Sequence, residues 1–231
     1  MRFNGAGAMY VFFGLIGIIV IIAVIAFFLN KKRKEDIKNY CTAQGIKYEE
    51  SANYIPDCNE KFRATSIGGS TTFTSIMSGE RKGIKYCILD YQGTVTTRRG
   101  VNNYNSTICL LSKSGVSFPT FYIRPEMRLT DMLNEKLGMQ DIDFEEDKEF
   151  SNKYVLQGPN EREIRAYFTP EIRKAFVAAS TNKYNFIEGS SEFFLVSKSS
   201  HLNIKERLAL LDNSVKFYSS VVSTASKDSV A

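Results

Sequence analysis

One histidine, His201, occurs in 231 residues, and it stands in the loop-like run Ser199-Ser200-His201. Acid–base or nucleophilic chemistry built on histidine therefore has almost nothing to use. None of the four cysteines, Cys41, Cys58, Cys87 and Cys109, forms a C-x-x-C pair. The close ligand pairs common in structural zinc sites are thus missing. The chain has no G-x-x-x-x-G-K-[ST], no G-x-G-x-x-G and no G-x-S-x-G. Phosphate loops, dinucleotide fingerprints and nucleophile elbows go with them. Gly68-Gly69-Ser70 is a poor phosphate loop, since no helix start follows it. No long Pro, Ser or Gly tract divides the chain.

Charge is absent from Met9 to Leu29, and this absence carries the most information. At about 1.5 Å per residue the run can cross a ~30 Å hydrocarbon core as one helix. Lys31, Lys32, Arg33 and Lys34 follow it as a basic stop-transfer flank. A cleaved signal peptide would have a shorter apolar core and a small-residue cleavage site, whereas Phe27-Phe28-Leu29-Asn30 runs straight into the charges. Only Arg2 flanks the other side, so the positive-inside bias predicts a short N-terminus outside and a cytoplasmic C-terminal part. Gly14, Gly17, Ala23 and Ala26 suit close helix packing, but neither pair makes G-x-x-x-G.

The net charge of +5 belongs to this membrane flank; from Glu35 onward Lys and Arg balance Asp and Glu. A nucleic-acid partner is not expected, because no basic face remains. The four flank charges suit anionic lipid head groups. Cys87 and Cys109 fall in apolar runs and read as buried free thiols of a reducing compartment.

The expected fold class is α+β: a transmembrane helix, then one soluble domain with a mainly antiparallel sheet and three to four helices. The expected boundaries are an anchor at 1–30, a basic flank and juxtamembrane linker at 31–60, the domain at 61–225 and a disordered tail at 226–231. Runs rich in Thr, Ile, Val, Tyr and Phe predict strands at 62–67, 71–77, 84–91, 94–99, 106–111, 120–123, 186–188 and 193–197. Turns are expected at Gly68-Gly69, Ser78-Gly79-Glu80, Gln92-Gly93, Asn102-Asn103, Ser114-Gly115 and Gly189-Ser190. Thr130 predicts a helix over 131–137, and Asn160-x-x-Glu163 reads as a capping box. Thr169-Pro170-Glu171 combines a capping hydroxyl, a first-turn proline and an acid facing the macrodipole. Over 204–222, Ile204, Leu208, Leu211, Val215, Tyr218 and Val222 form a heptad seam. Leu210, Phe217 and Val221 widen it into a face suited to docking on a sheet.

The densest charge is Asp141-x-Asp143-x-Glu145-Glu146-Asp147-x-Glu149. Alternating carboxylates suit a hard cation, yet Glu146 stands where an EF-hand loop needs glycine. The favoured reading is an acidic loop facing Arg124, Arg128, Arg162 or Arg165. Asp141, Asp143, Glu145 and Arg124 mark a candidate surface; no catalytic, cofactor or metal residue is assigned.

Several phrases carry a resemblance. They are Ile88-Leu89-Asp90-Tyr91, Phe118-Pro119-Thr120-Phe121-Tyr122-Ile123-Arg124-Pro125-Glu126, Asp141-Ile142-Asp143-Phe144, 150–158 and Ile187-Glu188-Gly189. In this order they resemble a family of uncharacterised bacterial membrane proteins that pair an N-terminal span with a soluble domain of unknown function. The resemblance implies architecture and a bacterial origin, and no activity.

The leading functional expectation is a single-pass protein of the bacterial inner membrane with a cytoplasmic domain that binds another protein or a lipid head group, without cofactor. Two alternatives are a membrane-surface hydrolase using carboxylates such as Asp90 or Asp143, and a structural subunit of a membrane homo-oligomer.

Overall fold

The computed structural model describes residues 5–60, 62, 65, 70–97, 100–126, 141–179 and 184–228. The strand expected at 62–67 falls mostly outside these residues, and the helix at 131–137 and Arg128 fall wholly outside them.

Helix α1, Gly5–Gln44, runs for 40 residues, about 60 Å at 1.5 Å per residue. Its apolar part is bare: Val11, Ile18 and Phe27 are all more than half exposed. Among the described residues it is the one helix long and apolar enough to cross a membrane. Its length and composition suit a membrane anchor. No break follows Asn30. The same helix continues to Gln44 and buries Ile37 and Cys41 completely in the soluble domain. Of the juxtamembrane segment expected at 31–60, where 35–48 reads as either helix or linker, the part up to residue 44 is helix. Gly45 takes a positive φ of 65° and turns the chain into strand β1, Lys47–Ala52.

Seven more strands follow among the described residues: β2 Ser70–Arg81, β3 Ile84–Thr97, β4 Gly100–Ser112, β5 Phe118–Pro125, β6 Tyr154–Gln157, β7 Phe186–Ser191 and β8 Phe193–Ser199. They form one eight-stranded antiparallel sheet in the order β1-β2-β3-β4-β8-β7-β5-β6. The expected α+β class is what the structure shows, with several helices beside an antiparallel sheet. These are α2 Lys148–Lys153, α3 Glu161–Tyr167, α4 Pro170–Ala178 and α5 Ile204–Asp228.

Several local readings need correction. Gln92-Gly93 and Asn102-Asn103 are not turns but lie inside β3 and β4, where Gly93 pairs with Tyr104 and Thr94 with Asn103. A cross-strand ladder of thirteen consecutive pairs outweighs the local turn preference of Gly and Asn. The β2–β3 turn falls at Lys82 and Gly83, both at positive φ, as a two-residue hairpin requires, not at Ser78-Gly79. Gly189 lies within β7, and the turn is one step later at Ser191. A side chain at Gly189 would meet Phe121 Cε1 at 2.2 Å, so glycine there makes room for a ring. Helix α5 reaches Asp228, beyond the expected end at Val222.

Both sheet faces are buried, as strand alternation dictates. Met77, Ile88, Cys109 and Leu111 enter the main core under the helices. Cys87, Leu89, Ile108 and Leu110 enter a second core with Ile55, Cys58 and Phe62. Glu60 fastens that covering segment by accepting from Ser190 Oγ at 2.9 Å and Ser191 Oγ at 2.8 Å. Two of the capping expectations hold: Asn160 accepts from the Glu163 N–H, and Thr169 from the Ile172 N–H ahead of Pro170. The heptad face of α5 docks on the domain, with Leu211, Val215 and Tyr218 buried.

All four cysteines are free and buried. Burial raises the thiol pKa of each, that of Cys87 to about 11. Thiolate is the reactive form. A disulfide-exchange dye near neutral pH should therefore detect almost no thiol in native protein and all four after denaturation.

Candidate functional site

The seam between α1 and the sheet holds the least expected chemistry. Asp90 sits in β3 on the face that Ile88 shares, and only 1% of it is exposed. Two arginines reach it. Arg207 of α5, fully buried, donates from Nη2 to Asp90 Oδ1 at 2.5 Å. Arg33 of α1 places Nη2 2.8 Å from Oδ2, off the line of a hydrogen bond, so this arm is a charge contact. The hydroxyl of Thr107 stands 3.1 Å from both Asp90 Oδ1 and the Ser200 carbonyl, and accepts from the Leu202 N–H at 2.9 Å.

Backbone oxygens and the Asn30 side chain take the other guanidinium N–H groups, Arg33 donating from Nε and Nη2 to Asn30 Oδ1 at 3.3 and 3.0 Å. Arg207 donates to Leu202 O at 3.2 Å and Ser75 O at 2.8 Å. Arg33 donates to the same Leu202 O at 3.1 Å. A β-bulge supplies the Ser75 carbonyl. Thr74 pairs with Asp90 and Met77 with Ile88, so β2 spends one residue more than β3 there. Ser75 takes a φ of 51°, an unfavourable value for a residue with a Cβ. The bulge thus aims a carbonyl at a buried charge. Burial pushes the Arg207 pKa down while Asp90 pulls it up, and a guanidinium stays charged. Two cations and one anion leave this seam one positive charge in excess.

Arg33 therefore leaves the basic flank. Lys31 and Lys32 stay exposed, whereas Arg33 turns onto the domain with 11% of its side chain exposed. Asp90, named above as a candidate hydrolase carboxylate, is sealed from substrate and neutralised by two arginines. Asp143 is exposed on a different part of the domain, so the two do not converge.

The acidic run forms a small structure of its own. Asp141 bridges Gln157 at the β6 edge, where its Oδ1 accepts from Gln157 Nε2 at 2.5 Å. Glu145 is exposed, and Arg124, half-buried, donates to the Pro125 carbonyl at 3.3 Å. Among the described residues, Arg165 and Arg173 are seen to face the run. Arg165 donates to the Asp143 carbonyl at 2.8 Å. Arg173, 4% exposed and absent from the expected set, bonds Asp147 Oδ2 at 2.8 Å and lies 4.1 Å from the Phe144 ring centre. Among the described residues no group of three or more His, Cys, Asp or Glu is placed to hold a metal.

Burial pushes the Asp147 carboxyl up, but Arg173 and the Phe150 N–H outweigh it and hold the group below its ordinary value. A lowered native pKa contributes stability above the unfolded value and loses it as pH falls through the native one. Below about pH 4, wild type should lose urea resistance more steeply than Asp147→Asn, and matched slopes would break the assignment.

On the opposite sheet face lies a cleft of about 410 Å³, lined by Lys47, Asp57, Glu80, Lys85, Tyr86 and Phe193 among others. Its charges are of both signs.

No family model matches the chain, and no curated protein matches it. A solved structure does: the mycobacterial trehalose monomycolate transport factor A, TtfA. The similarity has a TM-score of 0.52 and 14% identity, over 81% of this chain and 91% of that one. At that identity the likeness is one of fold.

Proposed function

We propose that this chain is a single-pass protein of a bacterial cytoplasmic membrane that holds a binding or scaffold domain rigidly against the inner face. The domain engages another protein or a lipid head group there. The unbroken helix from bilayer to core, locked by Arg33, Asp90 and Arg207, carries this reading. A flexible tether would suffice for a domain that only needs to stay nearby, whereas a locked helix fixes its height and heading. Lys31, Lys32 and Lys34 support an inward-facing C-terminal side by the positive-inside bias. Four free thiols suit a reducing compartment. A transport factor of similar fold supports an accessory role.

Alkaline phosphatase and a fluorescent protein, each fused after Ala231, test the orientation. Fluorescence without phosphatase activity is expected, and phosphatase activity would overturn it. Crosslinking in intact membranes followed by gentle detergent extraction tests binding. A bare monomer with no crosslinked protein or lipid would count against a binding module.

A further inference from the structure

Helix α1 and strand β3 run in opposite directions along the seam. Arg33 meets Asp90 at one end. At the other, Cys41 and Tyr86 are buried in the same core cluster. The spans match: eight helical residues rise about 12 Å and four strand residues about 13 Å. The direction in which α1 enters the bilayer is therefore the direction in which β3 continues past Asp90. From Asp90 to Thr97 the strand adds roughly 23 Å, whereas Arg33 to Leu29 is only about 6 Å of helix. The β3–β4 hairpin thus has the length to reach the bilayer surface.

Its outer half is built unlike the rest of the domain. Among the described residues, β8 pairs with β4 as far as Ser106 and β2 with β3 as far as Thr94. Beyond those points the described pairing is between β3 and β4 alone, and a two-stranded ribbon by itself is only marginally stable in water. Beyond the span, the exposed large hydrophobic residues among those described are Tyr54, Val101 and Tyr104; the last two lie on this hairpin, 62% and 48% exposed. They are an odd number of positions apart, so they face opposite sides of the strand. A protein surface covers one side of a ribbon; a head-group layer bathes both. No Asp or Glu occurs from Tyr91 to Ser112, which suits anionic lipid, and tyrosine favours the membrane–water boundary.

We propose that the outer β3–β4 hairpin is a second membrane contact, seated with Val101 and Tyr104 in the head-group layer of the bilayer that α1 crosses. This rests on the anchor reading above. The test uses the full chain, one copy per lipid nanodisc containing anionic lipid. An environment-sensitive dye is attached at Val101→Cys or Tyr104→Cys, the native thiols being buried. Lipids spin-labelled near the head group or deep in the tails serve as quenchers. Ile22→Cys reports the span, and Lys113→Cys reports an exposed site at the far end of β4. The expected result is a blue-shifted dye at 101 and 104 quenched by the shallow label, an unquenched dye at 113, and a dye at 22 quenched by the deep label. Dyes at 101 and 104 that behave like the one at 113, with 22 still quenched, would overturn the hairpin contact alone. Loss of quenching at 22 as well would overturn the anchor and the hairpin contact together. Quenching of 101 and 104 that disappears in Val101→Ser/Tyr104→Cys and Tyr104→Ser/Val101→Cys pairs would assign the seating to these two side chains.

Discussion

Asp90→Ala should be the most damaging single change outside the aromatic core. It strips the anion from between two arginines, one fully buried, and breaking a buried pair in this way costs about 3–5 kcal/mol. For a domain of this size that is roughly a 10 °C fall in Tm, read by circular dichroism of the full chain in nanodiscs. Arg207→Met together with Asp90→Leu should recover much of the loss, because apolar replacement removes the uncompensated charge. Arg33→Met should cost less. Its partner keeps Arg207, and its own side chain is partly exposed. Its larger effect should be mechanical: distances between spin labels on the span and the sheet should broaden. A double variant no more stable than Asp90→Ala would remove the charge-balance explanation of the seam.

Phe194→Ala should cost about as much, 3–5 kcal/mol, for a different reason. Phe194 is fully buried at the centre of the aromatic core. Its ring lies within 5.4–6.5 Å of Phe118, Phe121, Phe176, Phe217 and Tyr218. Those rings come from β5, α4 and α5, so the cavity would loosen three elements at once. Phe194→Leu should retain about half of the stability that alanine loses, since it keeps apolar volume but not ring geometry. Urea midpoints of the two variants check this. An alanine variant within ~1 kcal/mol of wild type would mean that the core collapses onto the gap.

The anchor, the α+β class, two of the helix caps and the docking face of α5 were legible because each rests on a short-range pattern. The seam was legible only in fragments. Arg207 follows Ile204 by three and precedes Leu211 by four, a cation placed on an apolar helical face. Asp90 interrupts Ile88-Leu89 and Tyr91 in a run otherwise fit for burial. Each oddity pointed to a buried charge, but nothing local pairs residues 117 apart. Arg33 was harder to find, since three lysines beside it made it look like one more flank charge. The long β3–β4 hairpin was missed because Gly93 and Asn102-Asn103 carry turn chemistry that a continuous ladder overrides. Edge strands β1 and β6 are short and were hidden for the same reason: pairing with a neighbour, not composition, makes them strands.

A helix that passes without a joint from bilayer to domain makes azimuth a matter of arithmetic. One residue inserted after Leu29 would swing the domain by about 100° around the anchor axis and lift it ~1.5 Å. Seven would return it to within about 20° of its first heading, raised by ~10 Å. Which side of the domain looks along the membrane toward a neighbour is thus set by a residue count, as the phase of a gear is set by its teeth.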